Sequence, residues 1–107
     1  MLLRSYLFVP GRDAYRIGKA LDSDADAVII DLEDAVAYEE KETARRTVLQ
    51  VMREKGAQRP HVYMRINDLH SPFWQADCQC AQEAGFGGRN CAAEAGTVGR
   101  HAHHSAH

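Results

Sequence analysis

The 107-residue chain is 45% hydrophobic, enough for one small core and too short for two full domains, because a single core usually takes about 100 to 150 residues. Its 13 basic and 15 acidic side chains leave a formal charge of −2, which provides no electrostatic footprint for nucleic acid. No apolar run nears the roughly 18 residues of a membrane span, and the apolar stretch that opens the chain is too short for a secretory leader, so neither membrane insertion nor export is expected and the cytoplasm is the default.

The first apolar run, Tyr6 to Val9, is stopped by Pro10-Gly11 and reads as a buried strand followed by a turn. Beyond it, Ala14, Ile17, Gly18 and Leu21 recur at the spacing of a helix that lays one face on a core, with Asp13 placed to cap it. Ala27-Val28-Ile29-Ile30 is continuous rather than alternating, the pattern of a strand covered on both faces, and it runs into Asp31-Leu32-Glu33-Asp34. A longer helix is predicted from about Glu39 to Lys55, with Ala44, Val48 and Val51 or Met52 on its core side and Gly56 as its stop. His61 to Ile66 forms a third strand ending in Arg65-Ile66-Asn67, and a third helix is predicted from near Pro72 to Ala84, with Gly85 at its C-cap. Three successive strand–helix units imply parallel strands with right-handed crossovers, an α/β architecture.

The pattern then breaks. The 21 residues from Gly87 to His107 contain one Val and no Leu, Ile, Phe, Tyr or Trp, a composition that buries too little apolar surface to offset ordering entropy. Residues 87–107 are therefore expected to be an unpacked tail.

Function in parallel α/β folds collects at the carboxyl ends of the strands. Here those ends present Pro10-Gly11-Arg12, Asp31-Leu32-Glu33-Asp34 and Arg65-Ile66-Asn67. A guanidinium is a two-pronged donor for a carboxylate, and a nearby acid cluster holds a hydrated divalent cation through its waters. The pair points to a keto-acid or carboxylate site with a metal. Spacing alone is equally satisfied by a structural ion pair between Arg65 and Glu33.

Arg4-Ser5-Tyr6-Leu7-Phe8-Val9-Pro10-Gly11, Lys19-Ala20, Asp24 to Val36, Lys41, Ala44-Arg45 and Arg65-Ile66-Asn67 resemble, in order and spacing, the amino-terminal part of the HpcH/HpaI aldolase and citrate lyase β-subunit family. The resemblance covers residues 2 to 86, so residues 1–86 are taken as a partial barrel domain. It implies the first three βα units of a (β/α)8 TIM barrel of the phosphoenolpyruvate/pyruvate type, a fold that needs about 200 to 250 residues. The activity implied is Mg²⁺-dependent carbon–carbon cleavage of 3-hydroxyacyl-CoA esters, citryl- or malyl-like, by an enzyme that is a homo-oligomer in the family. Arg65 matches the arginine that binds the keto-acid product, and Glu33 and Asp34 match acids near the metal's water shell. The direct Mg²⁺ ligands come from later strands in the family, so no direct metal ligand and no catalytic residue is assigned in this chain. An inactive truncated or frameshifted form is expected, with the departure beginning after Asp77, where Cys78, Cys80 and Gly87 to Asn90 replace apolar positions.

Two other readings compete. A receiver-like α/β module fits the length, but it wants an acid pair straight after the first strand, where Val9-Pro10-Gly11-Arg12 stands. A non-enzymatic fragment that associates with a partner fits an unclosed sheet with an exposed strand edge and apolar helix faces. Smaller signals rank lower. His101, His103, His104 and His107 form an adventitious metal-binding tract. Cys78, Cys80 and Cys91 contain no Cys-x-x-Cys pair and suggest neither zinc nor a disulfide framework. Phe73 and Trp74 read as packing anchors, His61 as structural, and Gly11 alone makes no phosphate loop.

Overall fold

A computed structural model describes residues 5–55, 61–86 and 97–100. Strands β1 (Tyr6–Pro10), β2 (Ala27–Asp31), β3 (Val62–Arg65) and β4 (Thr97–Arg100) form one sheet in the order β1-β2-β3-β4. The first three are parallel, with Leu7 opposite Val28 and Val28 opposite Val62. The expected α/β fold of three βα units is thus present. Helices α1 (Ala14–Leu21), α2 (Lys41–Lys55) and α3 (Trp74–Glu83) follow these strands and pack side by side, α1 on α2 and α2 on α3.

The register assigns a face to each strand residue. Val9, Val28, Ile30, Val62 and Met64 are buried beneath the helices with Ile17, Val48 and Met52. The opposite face carries Tyr6, Phe8, Ile29 and Tyr63, exposed or half-buried, with Phe8, Ile29 and Tyr63 in one row. Arg65 and Asp31 are neighbours at the carboxyl end.

Local chemistry explains the element ends. Asp13 caps α1, its Oδ1 accepting from the Arg16 N–H at 3.0 Å. Gly85 closes α3 at φ 95°, with Phe86 N–H donating to Ala81 O and Gly85 N–H to Gln82 O, the paired bonds of a Schellman end. Gly11 is required by proximity. Its N–H donates to Asp31 O at 2.8 Å, and a Cβ there would sit 2.7 Å from Leu32 Cδ2.

The strands shift by a residue at their ends, and larger differences from the sequence reading fall at the two later helices and in the tail. Tyr38–Glu40 is a 3-10 turn and the α-helix proper begins at Lys41, a common tightening at a helix start. The third helix begins at Trp74 rather than Pro72, because Ser71 and Phe73 are held in a turn by the Asp68 carbonyl and the Ser71 hydroxyl. Within the tail expected to be unpacked, Thr97–Arg100 pair antiparallel with β3, Thr97 opposite Arg65. Pairing on an open edge uses main-chain groups and needs no large apolar side chain, so composition did not forbid it. Gly56, Cys91, the histidine tract and the rest of the tail lie outside the described residues. Cys78 and Cys80, which replace apolar positions of the family pattern, are buried in the core, where cysteine behaves as a small hydrophobe.

Candidate functional site

The carboxyl ends of β2 and β3 bring Arg65, Glu33 and Asp34 together. Arg65 Nε donates to Glu33 Oε1 at 2.9 Å, and Nη2 lies 2.8 Å from the same oxygen and 2.7 Å from Asp34 Oδ2. Asp31 Oδ1 stands 4.0 Å from Arg65 Nε. The guanidinium is held charged more firmly than usual, first by the hydrogen bond to Glu33 and then by the fields of Asp31, Glu33 and Asp34, against the opposing effect of burial. Nη1 has no partner among the described residues. The clamp is open to solvent, Asp34 largely and Arg65 and Glu33 in part. The ion pair left open by spacing is therefore formed, and it includes both acids.

The loop that carries the acids is pinned from beneath. Asp31 is buried and turns back on the chain, its carboxylate accepting from the N–H of Glu33 at 2.7 Å and of Ala35 at 3.2 Å. Lys41, at the start of α2, is only 8% exposed. Its ammonium donates to Leu32 O at 3.0 Å and Glu33 O at 2.8 Å, and lies 5.5 Å from the centre of the Phe73 ring. That ring meets Tyr38 edge to face at 4.8 Å. A second donor, Asn67 Nδ2, reaches Leu32 O at 3.0 Å.

Asn67 belongs to a deeper network. Asp77 of α3 is buried, accepts from Asn67 N–H at 2.9 Å and from Asn67 Nδ2 at 2.6 Å, and takes Arg45 Nη1 of α2 at 2.9 Å. Here α2, α3, the β3 exit and the β2 loop are joined by one continuous set of hydrogen bonds. Cys80 sits beside it, its Sγ 3.4 Å from Arg45 O. Burial, reinforced by the Asp77 charge, pushes the Cys80 thiol up to about 11 despite Arg45, which makes it an unreactive packing group.

The residues present do not fit a direct Mg²⁺ site. Glu33 and Asp34 already face a guanidinium, and the described residues contain no group of three His, Cys, Asp or Glu placed to hold a metal. Of the other sequence signals, Trp74 packs against the core and Phe73 lies under the Lys41 ammonium, as anchors do. No described helix is long and apolar enough to cross a membrane.

Residues 4–88 match the HpcH/HpaI aldolase/citrate lyase family. The chain belongs to this family. A citrate lyase subunit beta-like protein of Deinococcus radiodurans is 48% identical over 80 residues, covering 71% of this chain and 28% of that protein. The citrate lyase subunit beta of Leuconostoc mesenteroides is 34% identical over 79% of this chain and 28% of its own length. The L-malyl-CoA/beta-methylmalyl-CoA lyase of Rhodobacter capsulatus is 37% identical over 71% of this chain and 24% of its own. The chain thus spans about a quarter of the length of these family members, and Arg65, Glu33 and Asp34 all fall inside the matched segment.

Proposed function

We propose that this chain is the carboxylate-gripping, amino-terminal part of a carbon–carbon lyase for 3-hydroxyacyl-CoA esters of the citryl or malyl kind. The observation that carries this reading is the Arg65 clamp, a rim guanidinium pre-oriented by Glu33 and Asp34 with Nη1 facing no described group. Retro-aldol cleavage leaves negative charge on the keto-acid oxygens, and a fixed guanidinium is suited to bind them and hold them in line. Arg65 is the substrate-binding residue in this reading. Glu33 and Asp34 set its orientation and lie near the water shell of a Mg²⁺ held by groups outside the described residues. The reaction would then take place in a cytoplasmic, oligomeric whole enzyme.

The isolated chain is read as inactive, because three parallel strands do not enclose a substrate and no complete metal-ligand set is assembled among the described residues. The test is twofold. A small keto acid titrated into ¹⁵N-labelled protein should shift the Arg65 side-chain Nε–Hε signal and the amides of Asp34 and Ile66, with the amide shifts lost in Arg65→Ala. Malyl-CoA incubated with the chain and Mg²⁺ should show no cleavage above background. Keto-acid shifts that persist in Arg65→Ala would remove the binding role, and Mg²⁺-dependent turnover by the chain would remove the inactivity.

A further inference from the structure

Each crossover in this chain steps one strand in the same direction, from β1 to β2 and from β2 to β3, with all three strands parallel. A further unit of the same hand would lay a parallel strand on the far side of β3. The main-chain groups on that side are fixed by the bonds on the other, where His61 O accepts from Val28 N–H and Arg65 O from Leu32 N–H. The odd-numbered residues of β3 thus face β2. Because direction alternates along a strand, the N–H and C=O of Val62 and Met64 face the position that a fourth parallel strand would take.

Those groups are taken by the chain's own tail. β4 runs the opposite way and pairs with every residue of β3, from Val62 opposite Arg100 to Arg65 opposite Thr97. In this register Val62 with Arg100 and Met64 with Val98 exchange main-chain bonds, while Tyr63 with Gly99 is a close pair without them. Sequence explains where the strand falls. Residues 87–96 contain no β-branched or aromatic residue, and Thr97-Val98 are the only β-branched residues after Phe86, so strand propensity first returns there. The strand is only four residues long, and a short edge strand offers little template of its own.

We infer that Thr97–Arg100 is a self-capping strand, which holds the outward main-chain groups of Val62 and Met64 and so blocks the edge where another polypeptide would add the strand that continues this sheet. Uncapped, β3 would present a row of unpaired N–H and C=O groups, the template for strand addition. The tail satisfies them from within, in the direction opposite to the one that continues a parallel sheet. Because the chain matches only about a quarter of its relatives' length, the strands that would follow β3 have to come from a second polypeptide. That polypeptide must first displace β4. The inactivity proposed for the isolated chain is in this way maintained by the chain itself.

Amide exchange, NMR and sedimentation velocity of the full chain test the cap. The wild type should show an Hα–Hα contact between Tyr63 and Gly99 and slow exchange at Met64 and Val98. Val98→Pro deletes the N–H that bonds Met64 O, whereas Val98→Ile keeps it. In the proline variant Met64 exchange should rise roughly tenfold or more, the scale of one lost bond, while the Ile29 amide, which faces β1, stays protected and so verifies the fold. An opened edge pairs with whatever strand is at hand, so self-association should strengthen by a similar factor in Val98→Pro and stay unchanged in Val98→Ile. A second arm does not depend on the proline variant folding. In a Cys91→Ser background, Tyr63→Cys with Gly99→Cys should close a disulfide within one chain, since that pair stands at the separation a disulfide needs, and the locked form should associate no more tightly than the wild type. Absence of the Tyr63–Gly99 contact or a disulfide formed between chains would overturn the inference. So would a folded Val98→Pro variant with unchanged Met64 exchange, or one that opens Met64 without associating more tightly.

Discussion

Two arginine–carboxylate pairs stand close together in this chain, made of the same chemical groups and set in opposite surroundings. Arg45 and Asp77 meet in the interior, where every oxygen of Asp77 is engaged and the carboxylate has no access to water. Arg65 meets Glu33 and Asp34 at the rim, in contact with solvent and with one guanidinium nitrogen facing no described group. A buried pair is costly to break because the survivor cannot rehydrate, whereas an exposed pair separates at little cost and exchanges a protein carboxylate for a ligand's. The first arrangement fixes the backbone, and the second is available for exchange.

The comparison is tested most severely at Asp77. Replacing it by Asn removes the charge that Arg45 needs and should destabilise the chain by about 3–5 kcal/mol, read from urea unfolding. A loss comparable to that of Arg65→Ala would erase the distinction between the two pairs. Lys41→Met comes next. It leaves Glu33 O without its ammonium donor while Leu32 O keeps Asn67, so about 1–3 kcal/mol should go. The Arg65 Nε–Hε signal should broaden as the acid loop loosens. Arg65→Ala should change stability by no more than about 1 kcal/mol while abolishing the keto-acid shifts, the separation of binding from folding that the rim location implies.

The smallest effect belongs to Cys80 and is confined to alkaline pH. Its folded thiol is pushed up to about 11 from an ordinary value of 9.0, so the stability it contributes is complete below about pH 9 and is lost as pH rises through 11. The fall in unfolding free energy across that window should be shallower in Cys80→Ala than in the wild type, with parallel behaviour of the two below pH 8. Identical slopes above pH 9 would mean that Cys80 is not shielded by the network beside it.

The three strands and the rim grouping were legible because both rest on short-range rules. Continuous β-branched runs mark covered strands, and chemistry at their carboxyl ends gathers on one rim, which placed Arg65 with Glu33 and Asp34 before any coordinates. Asp13 and Gly85 were legible for the same reason, since a cap is a local matter. The supporting network was not. Asp77 reads in sequence as an ordinary acid within a helix, and its bonds to Arg45 and Asn67 span 32 and 10 residues. Lys41 was marked only by the resemblance, because its enclosure shows solely in the packing of α2 against the β2 loop. The strand Thr97–Arg100 escaped because edge pairing is a main-chain property that composition does not report.

The loop after β2 has a further consequence for how this segment tolerates change. Its N–H groups at Glu33 and Ala35 are claimed by Asp31, its carbonyls at Leu32 and Glu33 by Lys41 and Asn67, and Val36 returns to Glu33 O. Each anchor is fixed to a different element, so the distance between them is set in residues. Ala35 is exposed and open to replacement, yet one inserted or deleted residue between Asp31 and Val36 would put every donor out of phase with its acceptor. Selection on this stretch therefore acts on length before identity, and gaps should be rarer here than substitutions.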